Sequence, residues 1–438
     1  MKTKLIFKET LLLSMTLFGM FFGAGNLIFP VHLGQLAGST VIIATIGFII
    51  TGVTIPILAV ASLGVTQSDG LQNMCEKKVG KRFAYIFTCA LYLTIGPFFA
   101  IPRCCTTTFS SGVFPLLNGV NERIALLIFS FIFFALVLIL SLNPGKIMQW
   151  IGKVITPVFL VFFCTIISIA LFKTNVSISS ITPDTTYASG SLANGLLEGY
   201  NTMDALAGLV FGILVVNCIK ELGVQDNKHI ANEIIKAGII TAILMSIIYF
   251  ATSIVGTKSR ALFEISENGG IALAQIVENY LGKAGLFILA ITIGLACLKT
   301  AIGLVASCSE MFNRMFPNKL SYKKWVIIFT IFSFAISNVG LTTLIKYSVP
   351  VLMFLYPLTI VLIIMGIVTY KTDNKILFRC TLVGTGVAAI FDFIKALPFN
   401  IEVSFMSKIL PLFDVGFSWI ITSVIGLIIG LILQKTIK

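Results

Sequence analysis

The chain has 438 residues, 57% of them hydrophobic and 11% charged, with a mean hydropathy of +1.01; no soluble domain has that composition. The excess of 31 Lys+Arg over 18 Asp+Glu is dispersed among loops, which argues against a nucleic-acid partner and for orientation in a membrane. Two histidines, His32 and His229, are too few for a His-rich membrane metalloenzyme.

Apolar stretches of about 20 residues, the length that crosses a bilayer as helix, occur twelve times: 8–33, 39–66, 82–112, 122–142, 146–173, 194–219, 229–257, 283–313, 324–338, 341–370, 376–397 and 411–435. The connecting loops are short, so 1–438 reads as a single transmembrane domain, all-α and polytopic. Lys2 and Lys4 ahead of Leu11 to Phe22 look like the start of a secretory signal. No small-residue cleavage site follows and the apolar run resumes at Leu27, so no cleavage is expected. With the N-terminus inside, 21 basic residues fall on the inner side and 8 on the outer, which predicts two cytoplasmic termini in the cell membrane. Cys75 and Cys380 read as internal-loop residues, and the other seven cysteines as small core residues without metal-ligand spacing.

The first stretch is interrupted at Gly23-Ala24-Gly25-Asn26. An unpaired backbone group in the bilayer core costs several kcal/mol, so a helix stays open there only where something else satisfies it. In transporters that is substrate and ions. The alternative reading of Gly23 and Gly25 is close helix packing, but Asn26 has no packing reason to be there. Segment six carries a second polar and small cluster, Gly199-Tyr200-Asn201-Thr202-Met203-Asp204-Ala205. Residues 8–173 and 194–370 each hold five stretches, separated by Thr174 to Gly190. An odd number of spans per half gives the halves opposite topology, so the chain reads as a 5+5 inverted repeat with broken helices one and six. Pro157 falls in segment five and Pro350 and Pro357 in segment ten; residues 376–435 are two accessory helices.

Gly23 to Pro30, G-A-G-N-L-I-F-P, resembles the unwound first helix of the leucine-transporter fold. Phe22 to Pro30, Gly96 to Arg103 (G-P-F-F-A-I-P-R), Leu142 to Lys146 (L-N-P-G-K), Asn201 to Asp204 (N-T-M-D) and Ser337 to Leu341 (S-N-V-G-L) are together similar to the bacterial branched-chain amino acid:cation symporter family, within the amino acid-polyamine-organocation superfamily. The resemblance implies uptake of leucine, isoleucine and valine with a coupling cation, Na+ or H+, twelve spans, and no covalent chemistry or cofactor. No obligate protein partner is evident; the bilayer and the small-molecule substrate are the partners implied.

A zwitterion needs donors for its carboxylate and acceptors for its ammonium, and two broken helices side by side offer both. The backbone at Ala24, Gly25 and Asn26 is assigned to the carboxylate. Carbonyls near Thr202, Met203 and Ala205 are assigned to the ammonium, with Phe98 and Phe211 among the apolar lining. Asp204, roughly 15 Å into its segment, would face the amino group or coupling cation, or hold the break open by accepting local N–H groups.

Lys299 lies roughly 22–24 Å of helix from Lys283 and from Arg314, too deep to snorkel, on a stripe of small and polar residues. In the leucine-transporter fold helix eight supplies oxygen ligands to a sodium ion that also touches carbonyls of broken helix one. By position, Ala296, Thr300 and the carbonyls of Gly19 and Phe22 would form that site. A lysine beside it departs from an all-oxygen cage. Burial disfavours charged amines in general, so an ammonium bordering the cation position, paired with Asp204 or helix-one carbonyls, would allow proton-coupled or cation-independent transport. The alternative is a fixed structural ion pair.

Arg103, about 31 Å along its segment from Arg82, is placed near the outer interface, as a snorkelling side chain or as an outer gate guiding the substrate carboxylate. Glu310 and Asp392 are expected at loops or headgroups, and Tyr92 and Tyr356 as pocket hydroxyls or core. No P-loop or nucleophile elbow occurs, and neither pore loops nor charge rings support a channel. A transporter of another small apolar amino acid or amine is the nearer alternative.

Overall fold

The computed structural model describes residues 2–117, 119–142, 156–369, 374–399, 401 and 403–436. Apart from an isolated bridge between Lys2 and Val224, the regular structure among them is helical. In chain order come α1 (Phe7–Phe21), α2 (Ala24–Ala37), α3 (Val41–Ile49), α4 (Ile55–Val65), α5 (Leu71–Lys78), α6 (Lys81–Leu93), α7 (Ala100–Thr108), α8 (Glu122–Ser141) and α9 (Thr156–Lys173). Then follow α10 (Thr185–Tyr200), α11 (Asp204–Glu221), α12 (Asn227–Ser259), α13 (Gly269–Met315), α14 (Tyr322–Ser337), α15 (Leu341–Val368), α16 (Lys375–Ala396) and α17 (Ser418–Thr436).

Where twelve spans are expected, nine helical stretches among the described residues are long and apolar enough to cross a bilayer. Two things reduce the number. Continuous helix merges Ala24–Val65 into one stretch that leaves out α1, with 15 residues, and interrupted or short helices are not among the nine, the sixth expected span being divided between α10 and α11 and α14 having 16 residues. In the L-N-P-G-K motif, residues 143–146 lie outside the described residues.

Apolar side chains such as Phe131, Ile139, Val161, Ile243 and Ile247 are exposed on the outside, as a lipid-facing surface requires. Inside, many hydroxyls bond back to carbonyls one turn earlier, Thr108 to Cys104 at 2.9 Å and Thr359 to Leu355 at 2.7 Å, which satisfies their donors within the helix. Small residues let helices touch. A Cβ on Gly34 would lie 2.8 Å from the Ser253 carbonyl carbon, and one on Gly256 2.9 Å from that of Val31, so α2 and α12 meet backbone to backbone.

Several residues differ from expectation. Cys75 is buried within α5 and Cys380 lies within α16, both in helices; all nine cysteines are free thiols. Glu310 pairs on the surface with Arg314. Asp392, expected at a loop or headgroup, is buried and accepts from Ser418 Oγ at 3.2 Å, because α16 and α17 close over it. Phe98, expected in the pocket, packs edge-on against Phe332 at 5.2 Å, since the backbone at Gly96 leaves helical geometry and rotates the following residues.

Candidate functional site

The first break is short. Phe22 closes α1 through its N–H on the Phe18 carbonyl at 2.7 Å, and Gly23 is extended, with φ −123° and ψ −156°. Asn26, in the first turn of α2, reaches back with Oδ1 to accept the Gly23 N–H at 2.9 Å. The same side chain turns its amide the other way, donating to the Asp204 carboxylate and to the Tyr249 hydroxyl. A single asparagine 1% exposed thereby caps one break and grips the other.

The second break runs from α10 to α11. Met203 takes a left-handed conformation, φ 64°, which turns the chain sharply and leaves Asp204 at the start of α11, where a carboxylate favours the helix dipole. Arg103 closes the other side. Its Nη1 donates to the Asn201 carbonyl at 2.7 Å and its Nη2 to that of Thr202 at 3.3 Å, while the guanidinium lies 5.1 Å from the centre of the Phe29 ring. Its Nε has no acceptor among the described residues. Thr202 Oγ1 donates to the Gly199 carbonyl at 2.9 Å and accepts the Asp204 N–H at 3.3 Å. The Tyr356 hydroxyl accepts the Ala205 N–H at 3.3 Å, and its ring stacks on Tyr200 at 4.3 Å.

Of these, Asn26, Arg103, Thr202, Met203 and Asp204 line one cavity together with Gly23, Ala24, Gly25, Met20, Phe211, Thr300 and Leu304. Its volume is about 30 Å³, space for about two waters, so an amino acid enters only as the breaks part. At Gly25 the two breaks approach closely: a Cβ there would sit 3.2 Å from both Arg103 Nη2 and Thr202 Cα.

Arg103 is therefore at the central cavity, 3% exposed, not at the outer interface. A straight-helix distance count fails because the π-helical turn Thr94–Phe98 is bent at Gly96. The carbonyl of Thr202, assigned from sequence to the substrate ammonium, is occupied by Arg103. Lys299 does not pair with Asp204: its Nζ donates to Thr156 Oγ1 at 3.4 Å and lies 5.8 Å from the Phe159 ring centre on α9. Thr156 in turn sits hard against Gly19, and Thr300 Oγ1 would be 3.2 Å from a Cβ on Gly23 while donating to the Ala296 carbonyl at 3.0 Å. Thr156 thus stands between Gly19 and Lys299, and Thr300 faces Gly23, whereas Phe22 turns its ring to Phe18, Phe159 and Phe163. Tyr92 is core, its carbonyl accepting from Cys308 at 3.5 Å. Tyr249 was not foreseen; an isolated tyrosine in an apolar helix gives no sequence signal.

Residues 6–437 match the family described as branched-chain amino acid transport protein. The chain belongs to this family. It is similar to the branched-chain amino acid permease BrnQ of Lactobacillus delbrueckii subsp. lactis, 48% identical over 427 residues and 96% of each chain. It is also 39% identical to BrnQ of Bacillus subtilis (strain 168) over 438 residues, 99% of this chain and 98% of the relative. Among solved structures, the closed conformation of Mhp1, a nucleobase-cation-symport-1 family transporter with bromovinylhydantoin bound, superposes with TM-score 0.65 at 13% identity over 97% of this chain and 92% of Mhp1. A substrate-bound, outward-open Na+-coupled sialic acid symporter gives 0.63 at 16% identity over 95% and 88%. These likenesses show the fold of secondary transporters. The transporter carries branched-chain amino acids and is not an enzyme.

Proposed function

We propose that the transporter binds leucine, isoleucine or valine between its two breaks, the amino acid carboxylate at the first-turn N–H groups of Ala24, Gly25 and Asn26 and the ammonium at Asp204 and the Met203 carbonyl. One observation carries the reading: the Asn26 amide joins the first break directly to the Asp204 carboxylate, so the groups suited to each end of a zwitterion face one cavity. Arg103, with an unspent Nε, guides the carboxylate from the same cavity, a gate at the centre instead of the outer rim. Phe211 and Leu304 meet the aliphatic side chain.

The coupling site in this reading is formed by Gly19, Phe22, Ala296, Thr300 and Lys299. The Lys299 ammonium, on Thr156 beside Gly19, borders the place a sodium ion would take and supplies a resident positive charge. The coupling ion is then a proton, or none, with sodium as the alternative if Lys299 is structural. The architecture in this reading has twelve spans, inverted repeats at 8–173 and 194–370, accessory helices at 376–435, and both ends of the chain in the cytoplasm.

The test is uptake of labelled leucine into proteoliposomes under an imposed sodium gradient and, separately, a proton gradient of equal size. Proton-driven or gradient-independent movement supports the resident ammonium. Sodium-driven accumulation assigns Lys299 to structure, and leucine binding undiminished in Asp204→Asn and Asn26→Ala overturns the proposed site.

A further inference from the structure

Away from the transport site, two cavities meet on the lipid-facing side of α6, α16 and α17. The first, about 460 Å³, is lined by Val79, Gly80, Lys81, Arg82, Phe83, Arg379, Leu382 and Val383. The second, about 400 Å³, shares Arg379 and Val383 and continues along Gly384, Val387, Ile425, Gly426 and Ile429. One end is basic and the other aliphatic, and the residues common to both make them a single groove.

The sequence explains its shape. A Cβ on Gly384 would lie 3.2 Å from the Thr422 carbonyl carbon, and one on Gly426 3.0 Å from that of Cys380, so α16 and α17 touch backbone to backbone. Between two such glycines the surface sinks into a furrow, flanked by the exposed side chains of Val383, Val387, Ile425 and Ile429. At its head, Arg379 Nε donates to the Val79 carbonyl at 2.7 Å. That bond fixes the guanidinium plane over Gly80, where a Cβ would be 3.0 Å from Nη2, while its terminal nitrogens make no hydrogen bond among the described residues. Lys81 is mostly exposed and only loosely paired, 3.7 Å from Glu76.

We propose that this groove binds one anionic phospholipid, its phosphate held by Arg82, Arg379 and Lys81 and an acyl chain lying in the furrow along Val387 and Ile429. Charge complementarity selects the occupant. An oriented guanidinium beside two further cations is a phosphate receptor, and basic pockets between spanning helices suit acidic headgroups. The aliphatic furrow leading away from it accepts a hydrocarbon chain, which a free anion lacks. The head of the groove lies where α6 starts, on the side that the basic-residue asymmetry assigns to the cytoplasmic leaflet.

The experiment uses the full chain in phosphatidylcholine vesicles carrying trace spin-labelled phosphatidylglycerol or spin-labelled phosphatidylcholine, reading the immobilised fraction and the oligomeric state. Expected is a preference for phosphatidylglycerol that falls roughly fivefold per basic side chain removed in Arg82→Gln and in Arg82→Gln/Arg379→Gln. Inorganic phosphate should not displace the lipid. Because Arg379→Gln also breaks the bond to Val79, Val387→Trp gives a second arm: it fills the furrow with every charge in place and should also release the lipid. Equal retention of both lipids, or an unchanged preference in Arg82→Gln and Val387→Trp, would falsify the proposal. Displacement by inorganic phosphate would leave only a free-anion site, and a changed oligomeric state with unchanged lipid preference would make the groove a contact with a second copy; either result overturns it.

Discussion

Arg103 Nη1 donates to the carbonyl of Asn201 at 2.7 Å, tying the third expected span to the end of α10 at the point where that helix stops. A helix end leaves its last carbonyls unmet, and inside a membrane protein nothing but another side chain, a ligand or water can meet them. The guanidinium takes two of them with a geometry a lysine cannot copy. Arg103→Lys is expected to keep the charge yet lose one of the two bonds, lowering leucine uptake in proteoliposomes at least several-fold, with Arg103→Ala close to inactive. Uptake by the lysine variant equal to the parent would mean that charge alone suffices.

Asn26 serves both breaks, so its loss is felt at both. Asn26→Ala removes the cap on the Gly23 N–H and leaves the Asp204 carboxylate without its donor, and hydrogen bonds to charged groups are each worth about 1.5–3 kcal/mol. Leucine affinity, read by scintillation proximity on purified protein, should drop tenfold or more. Asn26→Asp sets two carboxylates face to face and should be worse than alanine.

Gly25→Ala tests contact rather than charge. The added methyl would lie 3.2 Å from Arg103 Nη2 and from Thr202 Cα and 3.3 Å from the Phe29 ring. One of those neighbours, Thr202, belongs to the opposite break and a second, Arg103, is bonded to it, and overpacking of this kind costs about 1–3 kcal/mol. The expected result is a raised KM for leucine in a protein whose thermal stability in detergent is little changed; an unchanged KM would show that the breaks open wider during transport than this arrangement implies.

Lys299→Met keeps an unbranched side chain one atom shorter and removes the charge beside Gly19 and Thr156. If the ammonium takes the place of a coupling ion, the variant should lose its response to a proton gradient or acquire one to sodium. Identical ion dependence in variant and parent would sink that role.

Asp184 gives a pH prediction outside the membrane. It caps α10, accepting the Thr186 N–H at 3.0 Å and the Thr186 hydroxyl at 2.7 Å, and these donors hold its carboxyl below the ordinary aspartate range. Its folded pKa is depressed, so the contribution to stability is fully present above the unfolded pKa and fades as pH falls through the folded one. Asp184→Ala should cost about 1 kcal/mol near neutrality, as loss of a helix cap does. Melting curves of parent and variant should converge in acid; a gap that widens as pH falls would contradict the assignment.

What the sequence determined by itself was the membrane, the helical class and the two places where helices break. Gly23 to Asn26 and Asn201 to Asp204 stand out because polar and flexible residues inside an apolar run are costly in lipid unless they have a use, and that cost is local and readable along the chain. The family resemblance was legible for a related reason, since two of its five motifs, Phe22 to Pro30 and Asn201 to Asp204, are those breaks. Only the tertiary structure decided which side chains from other helices meet them. Spacing along a helix measures depth and face, but it fails past a bend such as Gly96, which carries Arg103 into the cavity and Phe98 away from it. Nor does it say which neighbour stands opposite. Lys299 meets Thr156, Asn26 meets Tyr249 and the Ala205 N–H meets Tyr356 across sequence separations of 143, 223 and 151 residues, and such pairings are set by how helices pack, through contacts that no single segment encodes.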